Sequence, residues 1–399
     1  MSPIRVLHVI PTLGRGGAER QLVSLVTNAN AEEHIVCYLR RPSDFAEELR
    51  NNGHVVVCLE AAGSAKWLKG ASRLSKLLKL YRPAIVQTWL LDASISARLS
   101  QILGPRVPLV TALQNADYEP ENIRAANWPR MKVSNLRRLD HLTARWTTPR
   151  FVACSNLVKK SAQEHLGIPE SSLEVIYNSV DPETLHCQPG EPQKLRKSLA
   201  IPPDGVVFLN VGRLDPQKGQ EYLLRAFQKV AAAAPNAFLV ILGEGPLREP
   251  LTALAKGLGI TDRVRFPGRR PDVGAFLEMA DVFVFPSLFE GLGLALVEAM
   301  FKKLPCIVSR IDVLLEVIAD RESGLVVAPG SVDELADAMI RLHDDPVLRK
   351  ALGAQAEQIA AARFHQQVTI PQWETLYSKI VEESSVDGKR DCERTEAFC

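Results

Sequence analysis

Short apolar runs alternate along this chain with longer stretches in which apolar residues recur at helical spacing. In the first half the runs predict strands at Arg5–Ile10, His34–Leu39, His54–Leu59, Ala84–Gln87, Leu109–Ala112, Phe151–Cys154 and Leu173–Ile176. In the second half they predict strands at Val206–Val211, Phe238–Leu242, Val264–Phe266, Val282–Phe285, Cys306–Val308 and Gly324–Val327. Strands that are apolar almost throughout are typical of parallel sheets with helices on both faces. The pattern therefore predicts an α/β protein with doubly wound parallel sheets.

The strand–helix pattern begins again at Val206, directly after a Pro- and Gly-rich stretch. With 399 residues the chain is too long for one ordinary core. We therefore predict two domains, 1–185 and 206–371, joined by a linker at 186–205. Residues 385–399 are polar and are predicted to form a disordered tail. Doubly wound sheets bind ligands outside the carboxyl ends of their strands, so a cleft between the two domains is expected to hold the ligand.

Composition restricts the class of protein without identifying it. The formal net charge of +2 gives no general attraction to nucleic acid, so no nucleic-acid partner is expected. No apolar run approaches about 18 residues, and Met1–Arg5 lacks the apolar core of a signal peptide, so neither a spanning helix nor a leader is expected. The seven cysteines show neither a C-x-x-C pair nor His/Cys metal spacing. A cytoplasmic location fits these features.

Two acidic residues, Glu290 and Glu298, lie eight positions apart in a segment that also contains Gly291 and Gly293. On one continuous helix this spacing would turn the two side chains about 80° apart. We therefore predict that Glu290 lies in the loop after a strand and that a helix begins near Gly293. The glycines then allow close backbone approach, and the free N–H groups at the helix start favour an anion. In the alternative interpretation, Glu290 only complements the helix dipole.

Two basic residues, Arg213 and Lys218, follow the first strand of the second half and precede a helix that begins near Gly219. Two fixed cations beside free helical N–H groups can hold a diphosphate. The alternative is that both are solvated loop charges, which is common for Arg and Lys.

A second glycine-rich loop, Gly14-Arg15-Gly16-Gly17-Ala18-Glu19, follows the first strand of the chain. A dinucleotide-binding loop would have glycine where this chain has Glu19, so a Rossmann dehydrogenase is disfavoured. An ordinary tight turn between strand and helix remains the alternative for this segment.

Six segments, taken together and in order, resemble the retaining, nucleotide-sugar-dependent glycosyltransferases of the GT-B fold, often called group 1 or family 4. They are Val6–Glu19, Ile176–Asp181, Val211–Gly219, Gly243–Pro246, Phe266–Arg269 and the E-x7-E segment that contains Glu290 and Glu298. The resemblance implies a GT-B fold, with two Rossmann-like domains that face an interdomain cleft. It also implies that the C-terminal helix, here 372–384, crosses back to the first domain.

The resemblance also implies roles for individual residues. Arg213 and Lys218 would hold the donor diphosphate and stabilise the departing charge, with Glu290 at the transferred sugar and Glu298 at the ribose hydroxyls. The remaining donor contacts would come from Gly16, Gly17, Gln114, Arg269, Gly293 and Leu294. Among these, the backbone of Gly293 and Leu294 would reach the phosphates, and Arg269 would border the base.

Two departures from the family pattern affect the sugar site. Many relatives have a histidine after the strand Leu109–Ala112, but here Gln114 or Asn115 takes that place. An amide can bind a sugar hydroxyl, but it is not a useful proton acceptor near neutral pH. Relatives usually have a glycine near Val313, although Glu316 is retained. These changes concern the identity of the sugar more than the type of reaction.

The resemblance predicts a retaining hexosyltransferase that uses a nucleotide-diphosphate sugar, most often UDP in the family, and a glycan or lipid-linked acceptor in polysaccharide synthesis. The leaving diphosphate would accept the acceptor's proton, so the protein mainly positions the reactants and stabilises charge. No Asp-x-Asp occurs, so neither a metal nor a cofactor is expected. The rival functions are a nucleotide-sugar epimerase or hydrolase on the same fold, and a non-catalytic nucleotide-sugar-binding protein.

A basic and apolar stripe suggests contact with a membrane. The basic residues Lys66, Lys69, Arg73, Lys76, Lys79 and Arg82 recur every three or four positions. Beside them lie Trp67, Leu68, Leu74, Leu77 and Leu78. A helix of this pattern fits an anionic membrane surface, which would make the protein peripheral at the inner face of the membrane. The alternative is a surface helix whose apolar side packs on the first domain's sheet.

Overall fold

The computed structural model describes residues 3–29, 31–125, 129–147 and 149–396. The chain divides into two compact units. Unit 1 comprises Met1–Ser179 and Gln366–Cys399, and unit 2 comprises Val180–His365. Each unit has its own parallel sheet and its own buried core. Among the described residues, every helix is too short or too polar to cross a membrane.

Unit 1 contains a seven-stranded sheet. Its strands are β1 Ile4–Ile10, β2 Glu32–Tyr38, β3 Val55–Cys58, β4 Ile85–Trp89, β5 Leu109–Leu113, β6 Arg150–Ala153 and β7 Leu173–Val175. Its helices are α1 Gly17–Asn28, α2 Ala46–Asn51, α3 Lys66–Tyr81, α4 Leu91–Leu103, α5 Pro120–Ala125, α6 Arg130–Thr147, α7 Asn156–Leu166 and the last helix, α16 Gln366–Glu396. The strand order is β3-β2-β1-β4-β5-β6-β7, and every pair is parallel.

Unit 2 contains a six-stranded sheet. Its strands are β8 Val206–Val211, β9 Ala237–Leu242, β10 Val264–Gly268, β11 Val282–Phe285, β12 Cys306–Ser309 and β13 Gly324–Val327. Its helices are α8 Glu191–Ser198, α9 Gln220–Ala233, α10 Arg248–Gly257, α11 Val273–Met279, α12 Leu294–Phe301, α13 Asp312–Leu315, α14 Val332–Asp344 and α15 Pro346–Phe364. The strand order is β10-β9-β8-β11-β12-β13, again with parallel pairs. The chain order reverses between β8 and β11.

Helix α9 shows how the sequence pattern determines the packing. Leu223, Phe227 and Val230 recur at helical spacing and are completely buried. They belong to the same core cluster as Phe208 of β8, and Ala231 packs partly buried against that cluster. The opposite face of α9 carries the charged residues. All thirteen predicted strands are present, with ends within two residues of the predicted ones, so the predicted doubly wound architecture is confirmed.

The division between the units differs from the predicted linker. It falls after Ser179 and after His365, whereas the prediction ended the first domain at 185. The stretch 186–205 is not an extended connection, because it contains α8, whose Leu195 is buried. Gly190 caps α8 and a proline lies in its first turn, which are positions where these residues start a helix rather than interrupt one.

The C-terminal helix is also longer than expected. The predicted helix 372–384 lies inside α16, which runs from Gln366 to Glu396. The predicted tail 385–399 is therefore helical as far as Glu396, and residues 397–399 lie outside the described residues. Ile370, Trp373 and Tyr377 of α16 are buried in the core of unit 1, as the predicted return of this helix to the first domain requires.

Candidate functional site

The loops that follow β8 and β11 lie side by side in unit 2. These two strands are neighbours at the point where the strand order reverses, and because they are parallel, both loops leave the sheet at its carboxyl edge. Ligands bind at such switch points in open parallel sheets. The first loop carries Arg213 and Lys218, and the second carries Glu290. The parallel topology therefore places the two predicted cations and the predicted loop acid at one edge of one sheet.

Lys218 and Glu290 are in direct contact. The Lys218 Nζ atom lies 2.5 Å from Glu290 Oε1, and the two side chains are 17% and 7% exposed. The ammonium group also lies 5.2 Å from the centre of the Phe285 ring, so it has a cation–π partner. Removing both charges from water costs several kcal/mol per ion before their attraction is counted. The two residues therefore form a largely buried ion pair at the switch point, a contact that the sequence did not reveal.

Backbone contacts fix the two loops against each other. Gln217 donates from its side-chain amide to the carbonyl of Phe289 at 2.9 Å, and the Leu288 N–H donates to the Gln217 carbonyl at 2.8 Å. Gly219 adopts φ +65°, and a Cβ atom there would lie 2.2 Å from the Pro286 carbonyl oxygen. Only glycine fits that approach. The ion pair is thus held by a rigid pair of loops rather than by two free side chains.

Arg213 is placed differently from Lys218. Its side chain is 71% exposed and forms an ion pair with the buried carboxylate of Asp215. Asp215 also accepts a hydrogen bond from the Gln217 N–H at 3.0 Å, which caps the short turn that contains Lys218. The amide of Gln220 holds the Arg213 carbonyl at 3.0 Å. The backbone of Arg213 is therefore fixed while its guanidinium group remains open to solvent.

The segment Gly243–Pro246 packs against the backbone of the loop that carries Arg213 and Lys218. A Cβ atom at Gly243 would lie 1.9 Å from the Gly212 carbonyl oxygen, and one at Gly245 would lie 2.3 Å from that of Leu214. The Leu214 N–H donates to the carbonyl of Glu244 at 2.9 Å. These glycines permit close packing of two backbones, which explains their presence without any contact to a ligand.

The second acid of the E-x7-E segment lies on a helix. Gly293, with φ +90°, is the N-cap of α12, and Leu294 is the first helical residue, so the helix begins where the sequence predicted. Glu298 lies half-buried in the second turn of α12. Arg269 is exposed directly after β10. The roles assigned to these four residues stay predictions.

Unit 1 holds the remaining predicted donor contacts. Gly16 is the N-cap of α1 and Gly17 is its first residue. The side chain of Glu19 folds back over this turn, where it accepts a hydrogen bond from Thr12 Oγ1 at 2.8 Å. A Cβ atom at Gly16 would lie 2.2 Å from Glu19 Oε2. A carboxylate therefore lies at the helix start that was predicted to approach a phosphate, a placement that the sequence pattern does not indicate.

Gln114 lies buried at the carboxyl end of β5, and its amide orientation is fixed. Its Oε1 atom accepts a hydrogen bond from Asn178 Nδ2 at 2.8 Å, which leaves its N–H groups as the groups available to a ligand. Gln21 of α1 holds the next residue, Ser179, by accepting from its N–H at 2.7 Å and donating to its carbonyl at 2.8 Å. Asn178 of the Ile176–Asp181 segment thus orients Gln114, a role that the sequence does not reveal.

The predicted site residues are thus divided between the units. Gly16, Gly17 and Gln114 belong to unit 1, and the others belong to unit 2. Their convergence in a cleft stays a prediction. The absence of a required metal also stays a prediction. In the part of the chain that the structure describes, one group with metal-ligating atoms within 4.8 Å of one another consists of Glu119, Glu164 and His165, but exposed acids often lie together without an ion.

Comparison with protein families gives two matches that follow one another along the chain. The model described as Glycosyltransferase Family 4 matches residues 15–184, and the model described as Glycosyl transferases group 1 matches residues 191–359. Among curated proteins, the 2-deoxystreptamine glucosyltransferase of Streptomyces kanamyceticus is 30% identical over 300 residues, which cover 70% of this chain and 73% of that protein. The UDP-Gal:alpha-D-GlcNAc-diphosphoundecaprenol alpha-1,3-galactosyltransferase of Escherichia coli is 27% identical over 356 residues, or 87% of this chain and 90% of that one.

Solved structures show the same fold. Anabaena Alr3699/HepE in complex with UDP and glucose superposes with a TM-score of 0.80 at 22% identity, covering 94% of this chain and all of that one. WaaG, a glycosyltransferase involved in lipopolysaccharide biosynthesis, superposes with a TM-score of 0.72 at 18% identity, covering 94% of this chain and 99% of that one. With two parallel-sheet α/β units in the chain itself, these likenesses confirm the predicted GT-B fold.

Proposed function

The chain belongs to the group 1 and family 4 glycosyltransferases, and we propose that it is a retaining hexosyltransferase that uses a UDP-sugar donor. Sugar transfer is the activity of the family, as the sequence predicted. The nucleotide, the hexose and the stereochemistry are the proposed parts. The rigid ion pair between Lys218 and Glu290 at the switch point of unit 2 is the observation on which this proposal depends.

The proposed donor follows from chemistry at that edge and from the relatives. A diphosphate needs cations, and Lys218 and the exposed Arg213 supply two. Glu290, beside Lys218, offers an oxygen that can accept hydrogen bonds from sugar hydroxyls. The E. coli relative is named for UDP-Gal, and Alr3699/HepE was solved with UDP and with UDP-glucose. A UDP-hexose is therefore the donor to test first.

We propose that donor binding weakens the contact between Lys218 and Glu290, so that Lys218 meets the diphosphate. As the bond between the sugar and the diphosphate breaks, negative charge grows on the phosphate oxygens, and Lys218 is the cation held most rigidly beside them. Glu290, released from part of its contact with Lys218, would then face the sugar. In a retaining reaction the departing diphosphate takes the proton of the acceptor hydroxyl, so the protein supplies position and charge stabilisation. No divalent metal is needed in this scheme.

For the acceptor, we propose a glycan or a lipid-linked sugar. Two relatives support this class by name, the diphosphoundecaprenol-dependent enzyme of E. coli and LpsD of Rhizobium meliloti, named for lipopolysaccharide core biosynthesis. A lipid-linked acceptor would bring the protein to a membrane surface.

Helix α3 is the proposed membrane-facing element. Leu74 and Leu78 are completely or almost completely buried, so this apolar side packs within unit 1 as the alternative interpretation required. Leu68 and Leu80, however, are 64% and 69% exposed and lie beside exposed basic residues such as Lys76. An exposed apolar and basic face suits anionic lipid. In liposome flotation, the variant K76E/K79E should lose binding to anionic vesicles, and equal flotation with neutral vesicles would contradict the proposal.

The proposed function is tested by UDP release from UDP-glucose and UDP-galactose, with and without a crude lipid-linked acceptor. Release that depends on the acceptor and persists in EDTA supports metal-independent transfer, and the anomeric configuration of the product, read by NMR, tests retention. Turnover without acceptor would indicate the hydrolase or epimerase. Binding of UDP-sugar, measured by thermal shift, without any turnover would indicate the binding protein.

A matched pair of lysine variants connects this activity to the site. K218A should lower kcat/KM about 100-fold, because it removes a fixed charge that stabilises the leaving group. K256A, on the exposed side of α10, should leave kcat/KM unchanged. Equal activity of K218A and the wild type would refute the assignment of this edge as the donor site.

A further inference from the structure

A half-buried carboxyl in unit 1 has no counter-charge among the described residues. Asp117 lies four residues after the end of β5, close along the chain to Gln114. No hydrogen bond or ion pair joins it to another described residue. Burial, together with the nearby carboxylate of Asp140, raises the pKa of Asp117 to about 7. Folded proteins seldom bury a carboxyl group without a partner, so this one requires an explanation.

Asp117 lines a small pocket that lies entirely within unit 1. The other residues that line it include Gln114, Asn115, Ser94 and Ser161. Asn115 is exposed, so the pocket opens to the surface. Its space is about 30 Å³, which is room for a single water-sized group. A whole sugar ring does not fit there, but one substituent of a ring does.

The charges around the pocket are unbalanced. Arg98, which is 1% exposed, donates to Asp140 Oδ1 at 2.5 Å, and the Tyr118 hydroxyl donates to Asp140 Oδ2 at 2.9 Å. Arg98 and Asp140 therefore neutralise each other. When Asp117 ionises, the pocket holds two carboxylates against one guanidinium group. A cation that donates hydrogen bonds would balance these charges.

We propose that this pocket binds a protonated amino group of a sugar substrate, with Asp117 as its counter-ion. An ammonium group is about the size of a water molecule, carries the missing charge and has three donors and no acceptor, which a carboxylate satisfies. Gln114 cannot replace Asp117 in this role, because its amide oxygen is already held by Asn178. The inference rests on the proposed function and deepens it, since it assigns an amine-bearing sugar to the substrates of the reaction.

The test compares three ring probes that differ at one substituent. Glucosamine carries an ammonium group, glucose a hydroxyl and N-acetylglucosamine a neutral amide. Binding to the full chain is measured by saturation-transfer NMR for the wild type, for D117N and for the control E47Q, which removes an exposed carboxylate on α2. We expect glucosamine to bind about tenfold tighter than the other two in the wild type and in E47Q. The preference should vanish in D117N.

D117N is expected to fold, because asparagine has the shape of the protonated carboxyl that burial already favours. Its melting temperature and its binding of UDP should match the wild type. Equal binding of the three probes to the wild type, absence of binding by all three, or a glucosamine preference that survives in D117N would each overturn the inference.

Failure of the proposed function would look different. It would be seen in UDP binding and UDP release, which are measured without the probe sugars and which depend on unit 2 residues such as Lys218. Normal donor turnover with no glucosamine preference would overturn the amino-group inference alone.

Discussion

At the scale of single residues, the contact between Lys218 and Glu290 couples stability to chemistry. It lies at the donor edge, the carboxyl edge of β8 and β11 where the donor is proposed to bind. Both side chains are largely removed from water, so each charge depends on the other. A buried pair of this kind contributes little net stability, but the loss of one partner leaves an uncompensated buried charge. Two residues proposed for chemistry are thus also coupled in stability, and the two effects must be separated by experiment.

A double-mutant cycle separates stability from catalysis at this pair. K218M should destabilise the fold by about 3 kcal/mol, because Glu290 would be left buried and charged. K218M/E290L should regain most of that loss, since both charges are gone, yet remain inactive. Urea unfolding gives the free energies, and UDP release gives the activity. Additive destabilisation by the two substitutions would show that the pair is not coupled in solution.

At the scale of loops and helices, the close packing of the loops after β8 and β11 depends on Gly219. G219A would place a methyl group 2.2 Å from the Pro286 carbonyl at a positive φ, so the two loops must separate. We expect a loss of about 2 kcal/mol or more and a weaker response to UDP in thermal shift. The control is G257A at the end of α10, where no atom lies within 4 Å. It should be neutral or stabilising by up to about 1 kcal/mol. Equal stability of the two variants would refute the close approach.

The packing of α16 on unit 1 should depend on pH through Glu32 of β2. Among the described residues, neither of its buried carboxylate oxygens has a hydrogen-bond partner. Burial, followed by repulsion from Glu374 of α16, raises its pKa from 4.5 to about 7. The folded state therefore binds this proton more tightly than the unfolded state. Its contribution to stability is complete below about pH 4.5 and is lost as the pH rises through 7.

E32Q removes this pH dependence. The variant should exceed the wild type in unfolding free energy at pH 8, by about 1 kcal/mol once solvent screening is allowed for, and should match it more closely at pH 5. Urea melts at the two pH values measure the difference. E33Q, which alters the exposed neighbour that pairs with Arg5, serves as the control and should show no such gain at high pH. A constant difference between E32Q and the wild type at both pH values would contradict the assignment.

The elements that the sequence predicts well are those that depend on local patterns. Each apolar run became a strand because a doubly wound parallel sheet buries both of its faces, and α12 began at Leu294 because Gly293 can adopt a positive φ. Contacts between distant positions were not predictable. The Lys218–Glu290 contact spans 72 residues and the Asn178–Gln114 bond spans 64. Neither contact leaves a periodic pattern of apolar and polar residues in the sequence. The units divide after Ser179 whereas the sequence pattern set the linker at 186–205, because the glycine and the proline that start α8 look the same as residues that interrupt a helix.

At the scale of the whole molecule, each unit has a separate core, and only unit 1 is built from two stretches of chain. Unit 2 is the continuous segment Val180–His365 around β8 and its neighbours. Unit 1 is completed by α16, whose Trp373 and Tyr377 fill its core. Units with separate cores are expected to unfold as separate cooperative transitions.

Calorimetry with UDP tests which unit holds the donor. A ligand that binds one folded unit stabilises only that unit, by RT ln(1 + [L]/Kd), which is about 2.7 kcal/mol at 100 times Kd. We therefore expect two transitions in the full chain, one of which UDP moves to higher temperature. In K218A the same transition should respond less, because the cation that meets the diphosphate is missing. E32Q should instead shift the other transition at pH 8, since Glu32 belongs to unit 1. A UDP shift in the transition that E32Q alters would place the nucleotide in unit 1 and overturn the assignment of the donor edge to β8 and β11.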